Sequence, residues 1–261
     1  MERKKALVTG AGHGIGKAIA IELAKHGYDV GINCCRSKDA ALDTCRKAQE
    51  FGAKAAVFQA DVSKNSDIER MFREFSEQFG GLDLMVNNAG LSKFYPFLDV
   101  TEQNWEEITF TDWKGAFFCS QFAAKNMISN QIHGLIINIS SNHVNSCWPN
   151  ANIYAPSKAA LTKFGENAAM ELAPHHIRVI TVAPGYTDVG WGEGSPIYEA
   201  ADRIPLKRFA KPEEVASIIR FLASDACSYM TGNCVTIDGG ALLPNLAENT
   251  YYQTDAWAKK E

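Results

Sequence analysis

Short apolar runs alternate with longer segments whose apolar residues recur every three to four positions, and this alternation continues through nearly the whole chain. Ala6-Leu7-Val8 closes on Thr9-Gly10, after which glycines at 10, 12, 14 and 16 lead into an Ala/Ile-rich segment ending near His26-Gly27. The pattern is strand, tight turn, helix. Residues 29–33 predict a second strand, 39–51 a helix and 55–59 a third strand. Ile68, Met71, Phe72, Phe75 and Phe79 then form an apolar helical stripe. Strands follow at 84–87, 135–139, 178–183 and 235–237. Helices are expected at 114–129, at 158–173, where Pro174 stops the helix, and at 212–224, which opens Pro-Glu-Glu. Short apolar strands separated by helices predict an α/β fold: a doubly wound, seven-stranded, mostly parallel sheet with helices on both faces and right-handed crossovers.

No linker, repeat or low-complexity tract interrupts the pattern, so residues 1–243 read as one domain. Two stretches depart from it. Residues 185–206 are too long and too rich in Gly, Trp and Tyr for a simple connection and make a candidate lid. Residues 244–261 form a C-terminal extension carrying Tyr251, Tyr252 and Trp257, which is expected to pack on the domain or on a neighbouring subunit.

Composition narrows the classes of function. Of 261 residues, 46% are hydrophobic and 21% charged, which is ordinary for a globular chain. The net charge is −4 and no basic run exceeds Arg3-Lys4-Lys5, which argues against nucleic-acid or anionic-membrane partners and for small molecules. Seven cysteines lack metal-ligand spacing, and adjacent Cys34-Cys35 suit neither a zinc knuckle nor a redox Cys-x-x-Cys, so reduced thiols in the cytoplasm and no metal are expected. No apolar run is long enough to span a bilayer, and no signal peptide precedes the first strand.

Tyr154-Ala155-Pro156-Ser157-Lys158 sets a phenol and an ammonium four residues apart, on one face if the segment is helical. A phenol is a poor base near neutral pH unless its anion is stabilised. A unit charge about 4 Å away, at an effective dielectric of about 20, supplies about 4 kcal/mol before solvent screening. Tyr154 is thereby a candidate acid/base with Lys158 as its activator. The run Thr9-Gly10-Ala11-Gly12-His13-Gly14-Ile15-Gly16, between a strand and a helix, suits a pyrophosphate approaching backbone N–H groups. It fails the strict Gly-x-Gly-x-x-Gly pattern, since Ile15 and Lys17 stand where the last glycine would be in the two registers.

Taken with Asn87-Asn88-Ala89-Gly90 after strand four, Ser141 after strand five, Tyr154-x-x-x-Lys158, Pro184-Gly185 after strand six and the closing Asp238-Gly239-Gly240, this order of motifs resembles the short-chain dehydrogenase/reductase family over residues 5 to about 243. The resemblance implies a Rossmann-like fold, a nicotinamide-dependent oxidoreductase, a small-molecule substrate, and a homodimer or homotetramer. By the same resemblance Tyr154 passes the proton, Ser141 hydrogen-bonds the substrate oxygen, and Lys158 holds the nicotinamide ribose while stabilising the tyrosinate. Gly10, Gly14, Ile15, Gly16, Asn88, Ala89, Gly90, Pro184 and Gly185 are implied to border the cofactor, with Asp61 and Val62 at its adenine. Ser140 is expected to face away from the site. Where an NAD-preferring site places a carboxylate at the end of strand two, this chain has Asn33-Cys34-Cys35-Arg36-Ser37-Lys38. Arg36, with Lys38 and His13, suits a 2′-phosphate, so NADP(H) is favoured and NAD(H) remains possible.

Two positions depart from the family pattern. Asp112 stands where the family has an asparagine, and Val189 where it has a threonine, although Thr187 is near enough to serve the carboxamide. Asp112 is open to three readings: an ionised group beside Lys158, a protonated donor kept neutral by burial, or a solvent-facing residue at a helix entry. His143, Trp148, Tyr186 and Trp191 supply aromatic faces and polar groups near the reacting residues. That mixture suits a hydroxylated substrate such as a sugar or polyol. A 3-oxoacyl carrier-protein reductase is the rival enzyme, and a catalytically silent nucleotide sensor is the rival of another class.

Overall fold

The computed structural model describes residues 3–192 and 194–243. The C-terminal extension, with Tyr251, Tyr252 and Trp257, lies outside the described residues. Seven strands form one sheet: β1 (Lys4–Val8), β2 (Tyr28–Cys34), β3 (Ala55–Gln59), β4 (Leu84–Asn87), β5 (Leu135–Ile139), β6 (Arg178–Pro184) and β7 (Cys234–Ile237). Their spatial order is β3-β2-β1-β4-β5-β6-β7 and every neighbouring pair is parallel. The order reverses between β1 and β4, and all carboxyl ends meet at one edge. Loops separated by more than a hundred residues therefore converge there, at the switch point where such sheets bind ligands.

Helices α1 (Gly14–Lys25), α2 (Lys38–Gln49) and α7 (Pro212–Leu222) are associated with a core containing Val8, Ile19, Leu23, Ile32, Val86 and Ile180. On the other face, α3 (Asn65–Phe79) and α5 (Ala116–Ser129) pack a core of Leu7, Phe58, Phe75, Met85, Met127 and Val179. All five residues of the expected α3 stripe are buried. Phe75 stacks on Phe79 at 4.9 Å and tilts against Phe58 at 5.7 Å. Gly31 admits this cluster, because a Cβ there would lie 3.0 Å from the Phe75 ring and 2.9 Å from Leu7.

Two helix boundaries differ from expectation for local physical reasons. The helix expected from residue 114 is preceded by α4 (Glu102–Thr109) and a π-helical turn over Phe110–Gly115, and α5 begins only at Ala116. Thr101 and Asn104 close a reciprocal cap on α4. The helix expected from residue 158 is α6 (Tyr154–Leu172), so the Tyr154–Lys158 pair occupies its first two turns. Pro156 is tolerated there because its missing N–H lies among the first four helical residues, whose amides have no intrahelical acceptor. Gly165 lets α6 approach β6 closely, since a Cβ would come within 2.7 Å of Thr181 Oγ1. That contact fixes the height of α6 over the sheet. Among the described residues, no helix is long and apolar enough to cross a membrane.

Candidate active site

The carboxyl ends of β1 to β5 are tied together by buried side-chain hydrogen bonds. Thr9 Oγ1 donates to Val86 O and accepts from the backbone N–H groups of Asn88 (3.0 Å) and Ala89 (3.1 Å). Asn88 Nδ2 donates to Thr9 O at 2.9 Å and Gly10 O at 3.2 Å. Asn33 does the same on the other flank, accepting from Gly10 N–H and donating to the carbonyls of Phe58 and Ala60. Read only as a strand end in the sequence, Asn33 is a buried residue that positions the glycine-rich turn; its signal was an amide where the pattern called for an apolar residue. Asn87 Nδ2 donates to Ser120 Oγ and Asn138 Oδ1, binding β4 to α5 and β5.

The glycine-rich turn has the features a pyrophosphate requires. Gly10 and Gly14 hold φ of +63° and +54°, in the left-handed region. A Cβ on Gly16 would collide with Asn88 Nδ2 and would stand 2.5 Å from Gly10 O. Helix α1 begins with no side-chain cap on its free N–H groups and no acidic residue in its first turn, leaving its positive end for an anion. The residues present thus fit a dinucleotide. His13 is the residue before the helix and is exposed. Arg36 and Lys38 follow β2 as exposed cations with no carboxylate in ion-pair range among the described residues. Asp61 caps its own turn, with Oδ1 accepting from Ser63 N–H and Oγ, and Val62 is buried beside Gly115.

A cavity of about 420 Å³ opens beside this turn. Ser141, Tyr154 and Lys158 all line it, with Ile15, Asn88, Gly90, Pro184, Gly185 and Thr187 on the cofactor side. All four expected substrate residues, His143, Trp148, Tyr186 and Trp191, also face it. Phe94, Ser92, Pro149 and Ile197 were missed; the first three lie in loops and Ile197 in a 3-10 turn, segments whose sequence carries no period. Of the expected cofactor residues, Gly10, His13, Gly14, Gly16, Arg36, Asp61, Val62 and Ala89 lie outside this cavity. Ser140, expected to face away, also borders the cavity, although its hydroxyl is engaged with Lys158 O and Thr162 Oγ1 of α6.

Lys158 is 4% exposed and its Nζ contacts Ile139 O at 3.2 Å and Asp112 Oδ2 at 3.1 Å. It lies 5.6 Å from the centroid of the Tyr154 ring. Asp112 is wholly buried, which overturns the solvent-facing reading, and Oδ1 accepts the Leu91 N–H at 2.7 Å. Although outside the cavity lining, it reaches the site through Lys158. Gly90 makes room for the pair, since a Cβ there would sit 3.0 Å from both Asp112 Oδ2 and Lys158 Nζ. Burial pushes the Asp112 carboxyl upward, and Lys158 and the Leu91 amide offset part of that. Burial also pulls the Lys158 ammonium down, but the attraction of Asp112 and Tyr154 outweighs it and the net displacement is upward. Lys158 is therefore held as an ammonium.

The wall opposite is aromatic. Trp191 meets Phe209 and Tyr198 edge-on at 5.7 and 6.2 Å, and Tyr186 stacks on Phe209 at 5.0 Å. A bridge between Thr187 and Ala210 ties the start of the candidate lid, residues 185–206, to a residue just beyond its end, and the segment turns through a 3-10 stretch at Pro196–Arg203. Among the described residues no His, Cys, Asp or Glu cluster could hold a metal ion.

A doubly wound sheet that brings a phenol and a buried ammonium to its switch point, next to a glycine-rich anion site, defines a class of dinucleotide-using oxidoreductases. Known proteins narrow that class. A family model described as enoyl-(acyl carrier protein) reductase matches residues 10–241. The uncharacterized oxidoreductase YohF of Escherichia coli is 36% identical over 92% of this chain and 96% of its own length. The 3-oxoacyl-[acyl-carrier-protein] reductase FabG of Staphylococcus epidermidis is 37% identical over 92% and 99%. The crystal structure of acetoin dehydrogenase YohF from Salmonella typhimurium, 35% identical, superposes with a TM-score of 0.87 over 93% of this chain and 97% of that one. The chain belongs to the short-chain dehydrogenase/reductase family. It is an oxidoreductase of a family that uses NAD(P).

Proposed function

We propose that this enzyme interconverts a secondary alcohol and a carbonyl on a small, polar, hydroxylated substrate such as a sugar, polyol or hydroxy ketone, with NADP(H) as the favoured cofactor. The observation that carries the reading is the convergence of Ser141, Tyr154 and Lys158 on one cavity whose remaining wall mixes aromatic faces with His143 and Asn142. The nicotinamide, when bound, supplies or accepts the hydride. Tyr154 hands the proton to the substrate oxygen or takes it away, and Ser141 donates a hydrogen bond to that same oxygen. Lys158, fixed by Asp112 and Ile139 O, directs its positive field at the tyrosine and offers its Nζ to the ribose. Thr187, lining the cofactor side, stands for the family's threonine at the carboxamide.

Acetoin, named for the Salmonella structure, is a hydroxy ketone and falls within this substrate class. The similarity to the Staphylococcus reductase supports the second reading, a 3-oxoacyl thioester reductase. A panel of hydroxy ketones, sugars, polyols and 3-oxoacyl thioesters, assayed with both cofactors, decides between them. Turnover of the thioester alone would replace the first reading with the second. With the preferred substrate, Tyr154→Phe should lose at least about 10²-fold in kcat while binding cofactor as before, because the ring persists and only the proton donor goes. Comparable activity in that variant would sink the assigned chemistry.

A further inference from the structure

Ser141 follows β5 with extended backbone and caps a short 3-10 turn, Asn142–Asn145. One residue, His143, approaches its hydroxyl twice. The backbone N–H of His143 reaches Ser141 Oγ at 3.3 Å and the ring Nδ1 stands 3.0 Å from the same oxygen. The imidazole is clamped in that pose. Its ring lies nearly parallel to Trp148 with centroids 3.9 Å apart, stacks at 5.9 Å on Phe94, and meets Tyr154 edge-on at 5.3 Å. Burial pushes its pKa down to about 4, so near neutral pH the ring is uncharged and carries a single N–H.

Which nitrogen carries that proton decides what Ser141 can do. With Nδ1 bare, the only proton of the serine hydroxyl is spent on the ring and none is left for a substrate. With Nδ1 protonated, the ring and the backbone amide fill both lone pairs of Oγ, and the hydroxyl proton is free to point into the cavity. We propose that His143 is a positioning residue for the reaction: its Nδ1–H donates to Ser141 Oγ and aims the serine hydroxyl proton at the substrate oxygen. This rests on the reading that Ser141 donates to that oxygen. It also changes the role expected of His143, whose ring works on the serine rather than only lining the substrate's path. The sequence carries the signal as Ser-x-His at the end of a strand.

Two measurements test it, one without turnover. In the full ¹⁵N-labelled chain at pH 7, the His143 resonances, assigned by their loss in His143→Phe, should show a protonated Nδ1 and a bare Nε2. The opposite tautomer overturns the proposal whether or not a substrate is known. In kinetics, His143→Phe keeps the ring stack and loses the donor, whereas His143→Asn loses the stack and places an amide N–H where Nδ1 was. Phe should lower kcat about threefold to tenfold, the range of one hydrogen bond, with cofactor affinity unchanged, and Asn should restore most of it. In a Ser141→Ala background, His143→Phe should cost nothing further. A Phe variant with normal kcat, an Asn variant no better than Phe, or an equal loss without the serine would each reject the role. If the wild-type enzyme turns over none of the panel, the proposed function fails instead, and the tautomer measurement still decides this inference.

Discussion

Both groups facing the Asp112 carboxylate are donors: the Leu91 amide at 2.7 Å and the Lys158 ammonium at 3.1 Å. A carboxylate supplies an acceptor to each, while an amide supplies one acceptor and would turn its NH₂ on the other donor. The ionised form is the one that fits these two donors, and among the described residues no acceptor meets the carboxyl to receive a proton from it. Breaking a buried pair leaves a charge uncompensated and costs about 3 to 5 kcal/mol, less where a hydrogen bond survives. Asp112→Asn should therefore lower thermal stability clearly and also alter the chemistry. Removing the negative charge lets the field of Lys158 act on Tyr154 undiminished. The basic limb of the oxidation pH profile is then expected to move to lower pH. An unchanged or upward-shifted limb in a folded variant would reject the charge argument. The sequence made Asp112 conspicuous as a departure from a motif. It could not choose among three environments, because the choice depends on Leu91 and Lys158, which the fold brings from 21 residues before and 46 after it.

Strand cores were legible at the scale of elements because each is a compact apolar run, and β3, β4 and β5 fall where expected. Helix starts were less so. A turn of π-helix has no sequence period of its own, and α4 is short with one buried residue, Ile108, so neither leaves an apolar stripe. Helix α7 was better marked by Pro212-Glu213-Glu214. Glu214 accepts the Lys211 N–H at 2.8 Å and receives Arg208 through both guanidinium nitrogens at 2.7 and 2.8 Å. The guanidinium hydrogen bonds, then the Lys211 amide, pull its carboxyl from the usual 4.5 down to about 2. A carboxyl lowered in the folded chain stabilises fully above 4.5, and that contribution is lost as pH falls toward 2. Arg208 and Glu214 are 53% and 42% exposed, so screening by solvent keeps the gain small. Glu214→Gln should thus lower the melting temperature slightly at pH 7 and flatten its fall between pH 4.5 and pH 2. Parallel melting curves across that window would show that the cap is neutral in stability.

On the scale of the whole molecule, the site was legible because a parallel sheet converts chain order into position: Thr9, Asn88, Ser141 and Gly185 each follow a strand, and all four strands end at one edge. Phe94 and Ile197 were not legible, since their place in the cavity depends on how two loops fold back over that edge. Cofactor choice is a property of the same edge, decided where β2 ends. There the chain offers Cys34, Cys35 and then Arg36, and the nearest following carboxylate, Asp39, is already inside the first turn of α2. A diol-binding carboxylate is thus missing from the strand end, while Arg36 and Lys38 stand exposed with no carboxylate in ion-pair range among the described residues. An arginine that is not already paired can meet a 2′-phosphate through two N–H groups without first breaking another contact. Such a charge-assisted contact is worth about 1.5 to 3 kcal/mol, or roughly tenfold to a hundredfold in affinity. Arg36→Ala should weaken NADPH binding by that factor and leave NADH binding nearly unchanged, and the loss should shrink as salt is raised. Side-by-side titration of both cofactors in wild type and variant measures it. A wild-type preference for NADH, or equal affinity for NADPH in the variant, would move the phosphate contact away from Arg36 and with it the argument for NADP(H).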